Sequence, residues 1–96
     1  MLALKGRNGL YINHFGGKNW YKNGLRHRLN GPAWIFSINN KTHGAKIWFI
    51  NDKRHRLDGP AVEYNDGRKL WMLNDIVIDC SSQEEFERLI KLQLLW

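Results

Sequence analysis

Residues 20–33 read WYKNGLRHRLNGPA and residues 48–61 read WFINDKRHRLDGPA, so one fourteen-residue phrase is written twice in a chain of 96. Each copy opens on Trp, passes through an Asn turn (Asn23, Asn51), repeats Arg-His-Arg-Leu and ends on Gly-Pro-Ala. A third copy starts at Trp71, Met72, Leu73, Asn74 and Asp75 and loses the pattern at Val77, Ile78 and Asp79. The Trp-to-Trp intervals are 28 and 23 residues, and the difference sits in a turn insertion between Asn39 and Ala45, leaving an underlying period of 23. Such a period describes a unit that cannot bury its apolar face alone and must pair with copies of itself.

The turn chemistry sets the class. Asn23-Gly24 is a type I′ hairpin signal, Asn51-Asp52 and Asn74-Asp75 stand at the equivalent places, and Asp66-Gly67 reads as a turn of the same kind. The short runs between them are rich in Trp, Tyr, Phe, Ile and Val, as strands are. Gly31-Pro32 and Gly59-Pro60 break each unit again, because glycine tolerates unusual dihedrals and proline donates no hydrogen bond. The expected fold is mainly β, an antiparallel hairpin array forming a meander sheet. Within a single domain over residues 1–96, residues 1–18 are a capping hairpin, 19–78 the repeats and 79–96 a capping helix.

That helix, from about Ser82 to Leu95, is announced by the capping box Ser82-Gln83-Glu84-Glu85 and by Phe86, Leu89, Ile90 and Leu94 at helical spacing. It covers the sheet face to which Trp71 and Leu73 belong. Leu92, Leu95 and Trp96 fall off the stripe and point to a partner or dimer contact.

A small domain leans on its large aromatics, and five Trp are many for 96 residues. The lone Cys80 excludes an internal disulfide and a thiolate zinc cluster, so a reducing, cytoplasmic setting is expected. The apolar run at the N-terminus is too short for a signal peptide, and no stretch reaches membrane-spanning length. Residues 1–51 carry eight Lys or Arg and no acid, whereas 52–96 carry seven bases against nine acids. A half-chain of such charge expects an acidic protein surface or a nucleic acid, or the acidic half of a second copy in a homodimer.

The repeated His27 and His55, flanked by Arg26, Arg28, Arg54 and Arg56, have the residue types of an acid–base pair with a phosphate grip. Recurrence argues for structure instead, with each His bonding a turn and each Arg pairing with a neighbouring Asn or Asp. No catalytic residue is assigned. His14, His27, His43 and His55 show no ligand-pair spacing, so no metal is assigned, and no cofactor loop is present. Cys80 lies beside a helix start, where a thiol pKa can fall, but follows Ile76, Val77 and Ile78 as a small hydrophobe would. Trp20, Trp48 and Trp71 read as the array's ladder, with His27, His55, Gly31, Pro32, Gly59 and Pro60 as repeat hardware. The residues assigned to partner binding are Lys18, Tyr21, Lys22, Arg26, Arg28, Trp34, Lys41 and Lys46, extended by Arg54 and Arg56. The same interleaving of aromatics and bases fits a nucleic-acid surface.

With WYKNGLRHRLNGPAWIF and WFINDKRHRLDGPAVEYNDGRKLWMLND laid out, the chain resembles the MORN-like repeat proteins of bacteriophages, giant viruses and bacteria over Trp20 to Asp75. It departs in the inserted turn, in Asn30, and in Asp52 and Asp75 where a turn Gly is usual. The resemblance implies a β-hairpin array serving as an interaction surface rather than an enzyme. Its expected role is that of a small phage or viral protein that binds and inhibits a bacterial host or defence factor, or of an antitoxin or immunity binder.

Overall fold

The computed structural model describes residues 6–13, 16–37 and 44–93. Lys41, His14, His43, Leu94, Leu95, Trp96 and most of the inserted turn lie outside them. The described chain forms ten strands and one helix: β1 (Gly9–Ile12), β2 (Lys18–Lys22), β3 (Leu25–Arg26), β4 (Trp34–Ser37), β5 (Gly44–Ile47), β6 (Phe49–Ile50), β7 (Lys53–Arg54), β8 (Val62–Tyr64), β9 (Lys69–Leu73), β10 (Ile76–Ile78) and α1 (Gln83–Gln93). The sheet runs β1-β2-β4-β5-β8-β9-β10 with every pairing antiparallel; β3 returns along β2, and β6 and β7 pair with each other. This is the expected mainly β hairpin sheet with a C-terminal helix.

Each repeat changes strand partners at its Trp. The Trp20 N–H donates to the Ala33 carbonyl at 2.8 Å, while its own carbonyl accepts from the His27 N–H at 3.0 Å. Trp48 does the same with Ala61 at 2.8 Å and His55 at 3.0 Å. The RHRLxGP segment therefore loops out between two partners of one strand, and the next strand starts immediately after Ala33 or Ala61.

Three turns adopt the left-handed geometry their Asn residues imply: Asn23 and Gly24 at φ 53° and 83°, Asn51 and Asp52 at 49° and 70°, Asn74 and Asp75 at 49° and 68°. Two consecutive positive φ values are the type I′ signature. The Asp66-Gly67 turn differs from expectation, since only Gly67 is left-handed there, at φ 96°. The Gly67 N–H donates to the Tyr64 carbonyl and the Tyr64 N–H to the Arg68 carbonyl, which makes it a three-residue loop with a glycine bulge.

Facing pairs place Trp34, Phe36, Ala45, Ile47, Val62, Tyr64, Leu70 and Met72 on one side of the sheet, and these join Ala33, Phe49 and Ala61 in the main core. The row Lys18, Ile35, Lys46, Glu63, Lys69 lies on the other side. That second face is covered at its C-terminal end, where Phe86 of α1 is fully buried against Trp71 and Leu73, with Ile78, Cys80 and Ile90 around them. The helix is capped as expected: the Ser82 hydroxyl accepts from the Glu85 N–H at 3.1 Å. The Glu85 carboxylate reaches one residue further back than a standard capping box, to the Ser81 N–H at 2.7 Å. Leu92, off the stripe, is 71% exposed.

Candidate functional site: the repeat joints and the groove between the loops

The His-Arg pairs meet the following repeat's turn. His27 Nδ1 accepts from the Asn51 N–H at 3.0 Å, and the Arg26 carbonyl accepts from the Asp52 N–H at 2.7 Å. One repeat on, His55 Nδ1 accepts from the Asn74 N–H at 3.1 Å, and the Arg54 carbonyl from the Asp75 N–H at 2.9 Å. An acceptor on Nδ1 must be unprotonated there, so both imidazoles are neutral with the proton on Nε2. Burial lowers the pKa of each, and the nearby Lys22 ammonium lowers that of His27 further.

A third joint of this design precedes the first recognisable repeat. Asn8 Oδ1 accepts from the Asn23 N–H at 2.9 Å, and the Arg7 carbonyl from the Gly24 N–H at 2.9 Å. Arg7-Asn8 thus stands where Arg26-His27 and Arg54-His55 stand. The missing loop hid it in the sequence; the only signal was an Arg followed by an acceptor side chain ahead of a strand.

The Asp residues that replace turn glycines also serve the joint. Asp75 Oδ1 accepts from the Arg54 N–H at 2.8 Å and from Arg54 Nε at 3.0 Å. That backbone N–H, helped by the guanidinium and Lys53, holds the Asp75 carboxyl below its ordinary pKa. Asp52 makes only a long version of the same bond, 3.4 Å to the Arg26 N–H.

The second Arg of each motif has a different task. Arg28 lies over the Trp20 ring at 3.8 Å and donates to the Pro32 carbonyl at 3.2 Å. Arg56 lies over the Trp48 ring at 3.8 Å and donates to the Pro60 carbonyl at 3.1 Å. Each guanidinium is held between an indole and a glycine. A Cβ on Gly31 would come within 2.9 Å of Arg28 Cζ, and one on Gly59 within 2.5 Å of Arg56 Cζ. Neither glycine is left-handed, so these positions need glycine for room, not for the dihedral freedom expected of them.

The residues assigned to partner binding divide between two faces. Tyr21, Arg26 and Trp34 share one face, where Arg26 covers the Trp34 ring at 4.5 Å. Lys18, Lys22 and Lys46 lie on the other and are exposed. Arg54 is paired with Asp75, and Arg56 with Asp58 and Glu63. One continuous patch is therefore not formed; the lysines carry the uncommitted charge, and the arginines are built into the fold.

Between the two RHRLxG loops lies an open groove of about 680 Å³ lined by Arg28, Leu29, Asn30, Gly31, Trp48, Ile50, His55, Arg56, Leu57 and Asp58. Leu29 and Leu57 stand at its lips, 76% and 58% exposed. Sequence reasoning did not find this groove, because it is made by two loops 28 residues apart meeting over a Trp. Its chemistry is that of a recognition surface: apolar floor, cationic wall, one acid. Cys80 lies outside it, and burial, with Glu85 and Asp79 adding, raises its thiol pKa, the opposite of an activated nucleophile. Among the described residues no cluster of His, Cys, Asp and Glu is arranged to hold a metal ion, and no helix is long and apolar enough to cross a membrane. Comparison with protein-family models, with curated proteins and with solved structures returned no match for this chain.

Proposed function

We propose that this chain is a MORN-like repeat protein that works by stoichiometric protein binding in the cytoplasm, without catalysis, as a phage or viral inhibitor of a bacterial host or defence factor. The observation that carries the reading is the commitment of the repeated His and Arg side chains. The histidines are hydrogen-bond acceptors for the next repeat's turn, and Arg28 and Arg56 are stacked on Trp rings. What remains for a partner is shape and charge: the exposed Lys18, Lys22 and Lys46 of the acid-free half, with the groove beside them. An acidic protein surface is the complement of such an array.

The test is capture from bacterial lysate by the wild-type chain and by a Lys18→Glu, Lys22→Glu, Lys46→Glu chain. A single protein retained in stoichiometric amount by the first and lost by the second is the expected result; equal retention by both sinks the assignment of these lysines.

A second reading, direct nucleic-acid binding, has one observation in its favour. Lys18, Lys46 and Lys69 lie in one row across the sheet, about 9.5 Å apart at two strand spacings each. If that row contacts phosphates, log affinity falls linearly with log salt concentration, by nearly one unit of slope per phosphate. A flat response excludes it.

A further inference from the structure

The groove over Trp48 and the seat of α1 are the same site one repeat apart. Moving 23 residues along the chain takes Trp48, Ile50, His55 and Leu57 to Trp71, Leu73, Ile78 and Cys80. The first four line the open groove; the second four are the residues against which Phe86 and Ile90 of α1 are packed. The carbonyl on the groove's lip has its counterpart too. Leu57 O accepts from Gln83 Nε2 at 3.0 Å, while Gln83 Oε1 accepts from the Trp71 indole N–H at 2.8 Å. Leu29 occupies the position of Leu57 on the preceding loop, and among the described residues the Trp48 indole N–H has no acceptor.

Two substitutions separate the sites. Arg56 stands where the helix seat has Asp79, and His55 where it has Ile78. With Arg28 on the opposite lip, the open groove is cationic, and Asp58 is its one acid. Arg28 forms no ion pair among the described residues.

We infer that the groove over Trp48 is a docking site for an amphipathic α-helix of the partner protein, with carboxylates in its first turn, seated as α1 is seated over Trp71. A Gln or Glu at the position of Gln83 takes the Trp48 indole N–H; the next turn places an apolar side chain over Ile50, as Phe86 lies over Leu73. Carboxylates in the first turn meet Arg28 and Arg56 and also suit a helix N-terminus. Helix-in-groove recognition of this kind reads anchors three and four residues apart. This inference rests on the protein-binding reading above and names the partner's chemistry.

The test uses the full chain, ¹⁵N-labelled, and as probe an unlabelled synthetic peptide of residues 80–93, which carries Gln83, Glu84, Glu85 and Phe86. The expected result is saturable displacement of the Trp48 indole signal with the Trp71 signal unmoved. Leu29→Asp, at an exposed lip, weakens the peptide at least about tenfold while leaving the other indole signals in place. Phe86→Ala in the peptide does the same without touching the folded chain. The inference is overturned if the Trp48 signal does not move, if binding ignores both substitutions, or if only the Trp71 signal moves, which is exchange with α1. Displacement of the Trp48 signal by raising protein concentration alone makes a second copy the occupant and also overturns it. The chain with Lys18, Lys22 and Lys46 reversed keeps the groove. Lysate capture that survives Leu29→Asp but not lysine reversal sinks the groove and spares the broader reading; peptide binding with no captured protein does the converse.

Discussion

Trp48 and Trp71 open equivalent strands of equivalent repeats, yet one ring lies under a guanidinium at the floor of an open groove and the other is 8% exposed beneath a helix. The difference comes from a triplet. Where the second repeat has Arg54-His55-Arg56, the third has Val77-Ile78-Asp79. Losing His removes the acceptor for another turn, and losing the second Arg uncovers the indole. Ile78 in turn supplies apolar surface for α1. An internal repeat is thus converted to a terminal one by exchanging polar connectors for hydrophobic ones, which is how repeat arrays close their ends. The open groove is what a repeat looks like before such closure.

The strongest way to break the contrast is to empty the filled seat. Phe86→Ala removes a fully buried ring and is expected to destabilise by about 3–5 kcal/mol, a large part of the stability of a domain this size. Denaturant unfolding, together with loss of the Trp71–Gln83 hydrogen bond by indole NMR, measures it. Trp48→Ala, in the open groove, should be milder; equal losses would mean that the two sites are energetically alike.

A smaller effect tests the Trp–Arg–Gly sandwich. Gly59→Ala pushes Arg56 off its ring and should lower stability by about 1–2 kcal/mol, the scale of a partly desolvated cation–π contact. In the Arg56→Ala background most of that loss should vanish, since residues in contact are not additive. Gly31→Ala should cost less, because its Cβ would approach Arg28 Cζ to 2.9 Å rather than 2.5 Å.

Next come the aspartates in left-handed turns. Asp75→Gly relieves a strained φ but deletes a charge-assisted clamp at 2.8 Å, so a net loss of roughly 1 kcal/mol is expected. Asp52→Gly gives up only a 3.4 Å contact and should be neutral or stabilising. Thermal melts of the pair decide whether the Asp side chain or the turn geometry matters at each joint.

The mildest test is pH. Because the folded-state pKa values of His27 and His55 lie below the ordinary 6.5, the unfolded chain takes up protons first. Their contribution is therefore complete above about pH 6.5 and is lost as pH falls from there through the lower folded values. Replacing both with Asn, the acceptor already used at Asn8, should flatten the melting temperature between pH 7.5 and 5; an unchanged slope would acquit the histidines.

Much of this was legible because local chemistry dictated it. Asn23, Asn51 and Asn74 announced left-handed turns, Ser82 and Glu85 announced a helix start, and alternation around Trp71 and Leu73 called for a cover. The rest depended on what meets through space. Gly31 and Gly59 read as backbone breaks, but their need for glycine is created by Arg28 and Arg56 folding back over them. Nothing local told the Asp66-Gly67 turn from the type I′ turns, since Asp-Gly serves both. The binding assignment of Tyr21, Arg26 and Trp34 alongside Lys18, Lys22 and Lys46 followed sequence nearness, whereas strand alternation sends neighbours to opposite faces.

The joint through Asn8, His27 and His55 has an evolutionary corollary. Every junction uses the same pair of bonds, so a 23-residue cassette cut from one His to the next carries its own acceptor and its own donor turn. Duplicating such a cassette adds a repeat without inventing a new contact, and deleting one leaves no orphan. The chain can be lengthened or shortened by unequal recombination in whole units, each addition bringing another groove, while the Val77-Ile78-Asp79 triplet and its helix travel unchanged as a full stop.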